Sequence, residues 1–265
     1  MNYPVACFII AIYELDNAVE ICKNFLKFSN QSFIILHNNK NSQFSNATLQ
    51  ARLRDQIPES YRIHVNDIRL GMSTSQWPSP YSLYEIYKSC LSMALKLGKW
   101  KYAVFMQSNE RLVRHGVDQY LADVNYDGGC FPTKLLSPDF TMHGDKYEIY
   151  KKIMPEYDNF YHTQTEGAYV SRSLAETICS KPDLDYSKIN SQIFAAHEKA
   201  IPTIMRTFSC NIDSKGITYI DWDNEMAVTT DIIDNIRNGN MPGIFSVKRV
   251  NMNNTEIRLY ISQKP

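Results

Sequence analysis

Short apolar runs alternate with amphipathic stretches along most of the 265 residues of the chain. Residues 5–13 and 102–106 are apolar runs, and residues 32–36 form a third, shorter one. Runs of this kind are typical of strands that are buried on both faces of a parallel sheet. The pattern predicts further strands at residues 61–65, 168–171 and 216–220.

Amphipathic segments separate these runs and predict helices. The apolar residues of 83–97 recur at helical spacing, with Ser79 as the predicted N-cap. Asp16 is predicted to cap an earlier helix, and Ser173 to cap a later one through a capping box. The remaining predicted helices are residues 117–121, 187–197 and 230–237. Strand, helix and strand in this order predict an α/β sheet flanked by helices.

Three regions give weaker patterns. Residues 125–165 hold three prolines and two adjacent glycines, and we interpret them as a long functional loop with short elements. Proline is accepted in the first turn of a helix, so Pro202 predicts that a helix begins near Lys199. Residues 244–250 and 255–261 are predicted to be terminal strands or a hairpin.

Composition excludes several classes of protein. Apolar residues make up 44% of the chain and charged residues 21%, as in an ordinary globular protein. The formal net charge is zero, which argues against a nucleic-acid binder. The six cysteines form no Cys-x-x-Cys pair, which excludes zinc-ribbon and redox-motif spacing. Four of them lie in apolar strand or helix patterns, as free thiols do, and we interpret the compartment as reducing and intracellular. Neither repeats nor low-complexity linkers interrupt the chain, so residues 1–265 are predicted to form one domain.

The first apolar run raises the question of a targeting segment. Residues 4–12 have no basic flank before them and no small-residue cleavage site after them, so we predict a buried strand and not a signal peptide. No apolar run reaches the roughly 20 residues that span a bilayer. The sequence therefore predicts a cytoplasmic protein without a transmembrane segment, and leaves peripheral contact with a membrane open.

Polar clusters follow two of the predicted buried strands. Residues 37–40 come directly after the second strand, and residues 107–111 come after the strand at 102–106. In open α/β sheets, ligands bind at the carboxyl ends of the strands, so these clusters predict a ligand site at that edge. No Gly-rich loop follows the first strand, which argues against a methyltransferase or a similar nucleotide-dependent enzyme.

Glu198 lies beside a histidine in the mostly apolar stretch 193–205. Apolar neighbours disfavour the charged form of a carboxyl group and raise its pKa. A raised pKa suits a general base that works near neutral pH. The alternative is an exposed glutamate at a helix start with its charge in water, and this stretch alone favours that alternative.

Seven short segments can be matched, in order, to the motifs of one enzyme family. They are residues 37–40 (His-Asn-Asn-Lys), 76–79 (Gln-Trp-Pro-Ser), 102–112, 167–172 (Gly-Ala-Tyr-Val-Ser-Arg), 197–204 (His-Glu and then Thr-Ile), 219–222 (Tyr-Ile-Asp-Trp) and 245–248 (Phe-Ser-Val-Lys). Together they resemble the core-2/I-branching β-1,6-N-acetylglucosaminyltransferase family, which includes xylosyltransferases and bacterial relatives. The strength of the resemblance lies in the order of the segments, which spans most of the chain.

The resemblance implies a GT-A-like, Rossmann-type mixed sheet flanked by helices. It also implies an inverting glycosyltransferase that uses a nucleotide sugar and needs neither a metal nor a further cofactor. Glu198 matches the catalytic base of the family, and Lys248 matches its phosphate-binding lysine. Arg249 is adjacent to Lys248, and Lys215 is a candidate second cation. Fixed cations of this kind offset the negative charge of a leaving diphosphate.

The remaining candidate residues come from the same matched segments. His37 and Asn39 are candidates for the nucleotide-base pocket, and strand-end hydrogen bonding is their alternative role. Trp77 is a candidate for stacking on a sugar or base, and core packing is its alternative. Glu110 is a candidate for holding a sugar hydroxyl, and a surface salt bridge is its alternative.

The chain departs from the family at three positions. Asn39 replaces an aspartate that holds the nucleotide base, and Glu110 and Leu112 replace Asp and Pro. These departures leave the nucleotide open. We expect a UDP-linked donor carrying GlcNAc or a xylose-like sugar. The expected acceptor is a glycan or lipid-linked saccharide, in the synthesis of a cell-surface polysaccharide.

Two other functions stay open at this point. Residues 183–185 and 221–223 both read Asp-x-Asp, a motif with which many GT-A enzymes hold Mn²⁺ or Mg²⁺ on the diphosphate. Either pair would make the chain a metal-dependent GT-A glycosyltransferase. The chain could also be a non-catalytic module that binds a glycan or a nucleotide.

Overall fold

A mixed sheet of seven strands forms the centre of the computed structural model, which describes residues 3–71, 83–139, 141–142, 145–188, 195–220, 228–251 and 253–263. The strands of these residues are β1 (Ala6–Ile12), β2 (Phe33–Asn38), β3 (Ile63–Val65), β4 (Tyr102–Met106), β5 (Arg111–Leu112), β6 (Gly128–Gly129), β7 (Lys134–Leu135), β8 (Thr141–Met142), β9 (Asp145–Lys146), β10 (Tyr161–His162), β11 (Tyr169–Ser171), β12 (Ile212–Asp213), β13 (Thr218–Tyr219) and β14 (Ser246–Val247). The order in the central sheet is β12-β6-β11-β4-β1-β2-β3.

Parallel pairing brings several strand ends to one edge of this sheet. β1 pairs in parallel with β2 and with β4, and β2 pairs in parallel with β3. β11 runs antiparallel to β4, so the residues before β11 arrive where β4 ends. We call this place the carboxyl edge; it gathers the residues that follow β2 and β4 and those that precede β11.

Helices cover both faces of the sheet. They are α1 (Leu15–Phe28), α2 (Asn46–Gln56), α3 (Leu83–Leu97), α4 (Val117–Asp123), α5 (Tyr147–Ile153), α6 (Arg172–Ser180), α7 (His197–Phe208), α8 (Thr230–Arg237) and α9 (Thr255–Ser262), with 3-10 turns at Ser60–Arg62 and Tyr186–Lys188. Alternate residues of β1 enter different cores: Ile9 packs in the core with α3, α6 and α7, and Phe8 in the core with α1, α2 and α4. Because both faces are covered, β1 is apolar without alternation.

A second, three-stranded sheet of order β13-β14-β5 lies next to the carboxyl edge. β5 follows the turn after β4, and β14 pairs with it antiparallel. A third apolar cluster packs α8 and α9 against this sheet. The C-terminal part of the chain thereby contributes residues to the carboxyl edge. No helix of the described residues is both long and apolar enough to cross a membrane.

The α/β fold class predicted from the sequence is confirmed. β1, β3, β4, β11 and β13 lie within the predicted strands, and β2 overlaps its predicted strand but continues to Asn38. α8 has the bounds predicted for it, and α4 extends two residues beyond its predicted end. α3 ends at Leu97, as predicted, whereas its predicted start, with Ser79 as the cap, lies outside the described residues. Within 125–165 the described residues form short strands and α5, in accord with the prediction of a loop with short elements.

Several local predictions were wrong. Residues 255–261 form a helix, because Ile257 and Ile261 are buried four residues apart, a spacing that also fits the period of a strand. α1 begins at Leu15, so Asp16 lies in its first turn and does not cap it. α6 is capped by Ser171, whose hydroxyl accepts from the Leu174 N–H, and not by Ser173.

The region around α7 also differs from its prediction. Of the predicted helix 187–197, residues 189–194 lie outside the described part of the chain, and α7 begins at His197. Pro202 lies inside α7 and not in its first turn. A proline there removes a hydrogen bond from the helix, and the contact that replaces it bears on the site described next.

Candidate active site

Glu110 is buried in the turn that follows β4. Its Oε1 accepts a hydrogen bond from the Gln107 N–H at 2.8 Å, and its own N–H donates to the Gln107 carbonyl at 3.1 Å. Arg111, also buried, donates from Nη1 to the carbonyls of Ser108 and Glu110 at 2.9 and 2.8 Å. The Thr218 hydroxyl donates to the other carboxylate oxygen at 2.9 Å. The turn, and with it the position of the carboxyl group, is therefore held from three sides.

A glycine brings a second carboxylate to the same place. Gly167 has a φ of +65° and donates its N–H to the Phe105 carbonyl in β4 at 2.7 Å. A Cβ at this residue would collide with Thr218. Only glycine suits both the backbone conformation and the close approach, and the chain so delivers Glu166 to the end of β4.

Glu166 forms a buried ion pair with Lys248. The same oxygen, Oε1, accepts from the Gln107 amide at 2.7 Å. The other oxygen, Oε2, is buried and has no hydrogen-bond partner among the described residues. Glu110, Glu166 and Lys248 thus form one compact group, which we call the inner cluster.

Burial and, to a smaller extent, the neighbouring Glu166 raise the pKa of Glu110 to about 8. Lys248 and the hydrogen bonds from Gln107 and Thr218 offset this effect only in part. Glu110 is therefore mostly protonated at neutral pH. The inner cluster then carries the ion pair of Glu166 and Lys248 and no net charge.

Two rings connect the inner cluster to α7. The Tyr87 ring of α3 meets the His197 imidazole edge-on, with centroids 6.1 Å apart. Burial raises the pKa of the Tyr87 hydroxyl, and the charges of Glu166 and Glu110 raise it further. Burial lowers the pKa of His197 to about 4, so its imidazole is neutral near pH 7. Neither ring nitrogen has a hydrogen-bond partner within the described part of the chain.

Glu198, next to this histidine, is buried in the first turn of α7. Ala195, two residues before the helix begins, has a φ of +48°, a strained value for a residue with a side chain. Glu198 Oε2 lies 3.3 Å from Nε2 of His162 in β10. Burial alone would raise the pKa of Glu198, but the hydrogen bond from His162 and the neighbouring His197 and Lys199 outweigh it.

The pKa of Glu198 is therefore lowered, and the prediction that apolar neighbours raise it was wrong. The error arose because the apolar sequence neighbours are not the spatial ones. His162 comes from another part of the chain, and a helix start stabilises negative charge. Glu198 is buried as a functional carboxylate would be, and it is ionised at neutral pH.

His37 and Asn39 lie at the carboxyl edge, at the end of β2. His37 is fully buried, and its Nε2 lies 3.1 Å from the Leu70 carbonyl oxygen and 3.2 Å from the Leu70 nitrogen. Asn39 Oδ1 accepts from the Asn41 N–H at 2.9 Å. Both side chains thus take part in strand-end hydrogen bonding, and Asn39 also bonds to Tyr13. They remain at the edge where a ligand would lie.

The other predicted site residues are less central. Arg249 is exposed and has a φ of +67°, whereas its neighbour Lys248 is buried. Lys215 is exposed as well. Trp77 lies outside the described residues. The structure therefore brings Lys248 and Glu110 into contact with shared partners and leaves Arg249 at the surface.

The Asp-x-Asp pairs do not form a metal site in the described residues. Asp183 pairs with Lys88 at 2.7 Å, and Asp185 pairs with Lys188 at 3.4 Å. Asp221 and Asp223 lie outside the described part of the chain. Within that part there is no group of three or more His, Cys, Asp or Glu residues that could hold a metal ion.

A cavity of about 450 Å³ lies away from this site, between α1 and α9. Glu20 is in its wall and pairs with both Arg111 and Arg258. Lys27 donates to carbonyl oxygens at the end of α9, including that of Ser262 at 2.9 Å. These charged groups bind one another and tie α9 to α1, so we assign the cavity a structural role.

Sequence reasoning missed three residues of the site. Glu166 precedes a glycine in one of the matched segments, and a glycine before a predicted strand was the available signal for a close approach. Tyr87 was assigned only to the apolar stripe of its helix. His162 lies in the loop region 125–165, which has no periodic pattern of apolar residues.

The arrangement suits transfer chemistry at a hydroxyl group. Ionised Glu198 can accept a proton, protonated Glu110 can donate a hydrogen bond, and Lys248 can donate to phosphate oxygens. These side chains lie around Tyr87 and His197, next to the carboxyl ends of the parallel strands.

Comparison with solved structures identifies the fold. A galactosyltransferase, LgtC, in complex with donor and acceptor sugar analogs, matches with a TM-score of 0.50 at 10% identity, over 93% of this chain and 87% of that one. A glycosyltransferase, GlyE of Streptococcus pneumoniae TIGR4, matches with a TM-score of 0.46 at 11% identity, over 98% of this chain and 61% of that one. A 4-diphosphocytidyl-2C-methyl-D-erythritol synthase matches with a TM-score of 0.44 at 8% identity, over 89% and 98%.

No family model matches the sequence, and no curated protein does. The fold assignment rests on the first of the three structures, which shares its architecture with this chain at a level of identity that shows the fold alone. The chain therefore has a GT-A-type fold, as predicted, and its function has to be argued from its own site.

Proposed function

We propose that the chain is an inverting glycosyltransferase, which moves a sugar from a nucleotide-sugar donor to a hydroxyl group of a glycan acceptor. The observation that carries this proposal is the position of Glu198. It is a buried, ionised carboxylate near the carboxyl edge of a GT-A-type sheet, linked through His197 and Tyr87 to the inner cluster with Lys248. The galactosyltransferase with the shared fold was solved with donor and acceptor sugar analogs, which supports the class of substrate.

The reaction is a single displacement. Glu198 takes the proton of the acceptor hydroxyl group while the oxygen of that hydroxyl group attacks C1 of the donor sugar. The new C1–O bond forms as the bond from C1 to the diphosphate breaks, and the electron pair leaves with the diphosphate. Attack from the face opposite to the leaving group inverts the configuration at C1. Because its pKa is lowered, Glu198 is already ionised at neutral pH and can act as the base without first losing a proton.

The inner cluster would receive the negative end of the donor. Lys248 has three N–H donors and pairs with Glu166, so further donors of the same ammonium group can bind phosphate oxygens. Protonated Glu110 keeps the cluster free of net negative charge, which favours the approach of a diphosphate. Arg249 is exposed beside it and would add cationic charge at the entrance.

The donor and acceptor follow from the family resemblance. The seven matched segments imply a core-2/I-branching type of enzyme, which uses a UDP-linked donor with GlcNAc or a xylose-like sugar and needs no metal. His37 and Asn39 would lie against the nucleotide base, and Glu110 and Trp77 against a sugar. The cytoplasmic location and the role in polysaccharide or lipid-linked glycan synthesis stay predictions.

A thermal-shift panel tests the proposal. The probes are UDP-GlcNAc, UDP-xylose, UDP, GDP-mannose and CMP, each with EDTA and each with Mn²⁺. A ligand that binds the native state raises the melting temperature, by an amount that grows with the ratio of its concentration to its Kd. We expect a rise with a UDP-linked sugar that persists in EDTA.

Each other outcome has a distinct meaning. A rise that occurs only with Mn²⁺ would overturn metal independence and favour a metal site that includes Asp221 and Asp223. A rise with a nucleotide but no sugar transfer to any glycan acceptor would favour a non-catalytic binding module. The absence of a rise with every probe would contradict nucleotide-sugar binding itself.

A further inference from the structure

Pro202 leaves one carbonyl group of α7 without its usual helical partner. Proline has no N–H, so it cannot donate to the carbonyl of Glu198, which lies four residues earlier. The Thr163 N–H donates to this carbonyl instead, at 3.0 Å. A backbone hydrogen bond from the loop region thus replaces the one that the proline removes.

A second contact fixes the same strand on the helix. The Tyr161 N–H donates to the Thr203 hydroxyl of α7 at 2.9 Å. Alternate N–H groups of an extended strand point to the same side, so those of Tyr161 and Thr163 both face α7. The Thr163 hydroxyl in turn donates to the Phe131 carbonyl at 2.8 Å. His162, between the two anchored residues, is therefore held at a fixed height along the helix.

We propose that His162 is a positioning residue for Glu198, and that Pro202 is the sequence feature that lets the strand of His162 dock on α7. The side chains meet through Nε2 of His162 and Oε2 of Glu198, 3.3 Å apart, with 16% and 8% of their surfaces exposed. A contact on one carboxylate oxygen fixes the orientation in which the other is presented. A general base needs that orientation to stay within hydrogen-bond reach of the proton it takes.

The surroundings of Glu198 identify His162 as the principal partner. Lys199 and His197 face it from α7, and Tyr150 of α5 lies 5.9 Å from the Lys199 ammonium. His197 gains charge only near pH 4, because burial lowers its pKa. Of the influences that lower the pKa of Glu198, the hydrogen bond from His162 is the largest. Without it, burial, which disfavours the charged form of the carboxyl group, would be opposed only by His197 and Lys199.

This inference rests on the proposed function only where it concerns catalysis, so its first test needs no activity. The pKa of the Glu198 side-chain carboxyl group is measured by ¹³C NMR, with the signal assigned by its loss in Glu198→Gln. We expect His162→Phe to raise this pKa, because the hydrogen bond that lowers it is lost. His162→Gln keeps a neutral donor, and we expect a smaller rise.

His64 provides a matched control. It is a partly buried histidine in β3, and its ring meets the Phe33 ring edge-on. β3 is the last strand of the central sheet and is separated from β11 by β4, β1 and β2. His64→Gln should leave the pKa of Glu198 unchanged. An unchanged pKa of Glu198 in both His162 variants would overturn the proposal, and His162→Gln keeps the test available if His162→Phe fails to fold.

The second test uses the transferred sugar. The acid limb of the pH profile of kcat/KM reports the pKa of the base in the free enzyme. In His162→Phe we expect this limb to move up by the same amount as the NMR titration. If the titration moves and the limb does not, Glu198 is not the base and the catalytic role of the pair fails. If no donor is turned over, the NMR titration alone decides whether His162 acts on Glu198.

The third test addresses Pro202. Pro202→Ala restores an N–H that competes with Thr163 for the Glu198 carbonyl. We expect faster hydrogen exchange of the Thr163 amide and a pKa of Glu198 that moves toward its value in His162→Phe. Unchanged exchange at Thr163 would contradict the role of the proline. Ile204→Val, on the same helix and buried, is the control for a general loosening of α7.

Discussion

Glu110 and Glu198 are both buried carboxyl groups of the same site, and their pKa values move in opposite directions. Burial and the neighbouring Glu166 raise the pKa of Glu110 to about 8. Burial acts on Glu198 in the same direction, but His162, His197 and Lys199 reverse it. Burial therefore pushes both pKa values up, and the charge of each carboxyl group depends on whether its partners outweigh burial, as they do for Glu198 and do not for Glu110.

The difference assigns the two groups to different tasks. An ionised carboxylate can take a proton from a hydroxyl group, whereas a protonated one can only donate its own. Two titratable groups whose surroundings separate their pKa values are a common basis for acid and base roles in one site. Here Glu198 suits the base, and Glu110 suits a neutral group that contacts a sugar or tolerates an arriving diphosphate.

The largest effect is expected when each of the two carboxyl groups is replaced in turn by an amide. We expect Glu198→Gln to lower kcat by about 10²- to 10⁴-fold, since general-base catalysis contributes that much, and to leave the nucleotide-induced thermal shift in place. Glu110→Gln should lower kcat much less, because an amide replaces a group that is already neutral. Equal losses in the two variants would show that the pKa difference does not separate their roles.

The next largest effect is expected from the ion pair of the inner cluster. Lys248→Met leaves Glu166 buried without its cation, and such changes cost about 3 to 5 kcal/mol of unfolding free energy. Urea unfolding measures the loss. The double variant Lys248→Met with Glu166→Gln removes both charges and should recover most of the stability. A double variant as unstable as the single one would mean that packing, not charge, sets the cost.

Because the pKa of Glu110 is raised, we expect Glu110→Gln to stabilise the fold by an amount that depends on pH. A carboxyl group with a raised pKa stabilises the fold fully below its unfolded value of 4.5, and the contribution is lost as the pH rises through about 8. Glu110→Gln should therefore match the wild type at pH 5. At pH 9 it should be more stable by an amount on the order of 3 kcal/mol. Stability curves from chemical unfolding at several pH values measure this difference.

Glu176→Gln is the control for that experiment, because Glu176 is an exposed glutamate of α6 paired with Arg172. It should change stability little at either pH. If Glu110→Gln shows the same difference from the wild type at pH 5 and at pH 9, Glu110 does not titrate between them. The assignment of a neutral Glu110 near pH 7 would then be wrong.

Those features of the site that depend on a local pattern of apolar and polar residues could be predicted from the sequence. Continuous apolar runs identified β1 and β4, and the polar residues after them placed Glu110 at the carboxyl edge. Residues 255–261 show the limit of such patterns. Their apolar residues recur in a way that fits both a strand and a helix, and packing of Ile257 and Ile261 selected the helix.

The charges of the site could not be predicted from the sequence, because they depend on contacts between distant segments. Glu166 reaches Glu110 through the close approach at Gly167, and His162 reaches Glu198 through the gap left by Pro202. Apolar neighbours along the chain therefore gave the wrong direction for the pKa of Glu198. Such contacts become visible only when the strands are paired.

The smallest expected effect isolates one hydrogen bond of Glu110. Thr218→Val keeps the shape of the side chain but removes the hydroxyl that donates to Glu110 Oε2 at 2.9 Å. The loss should cost about 1 kcal/mol and raise the pKa of Glu110 further, because this hydrogen bond lowers it. The alkaline transition of stability should then move to higher pH, while the NMR titration of Glu198 stays in place.

Thr177→Val, on the exposed face of α6, is the control, because it removes a hydroxyl far from any carboxyl group of the site and should move neither titration. A shift of both titrations in Thr218→Val would mean that Glu110 and Glu198 are electrostatically coupled and do not titrate as two separate groups.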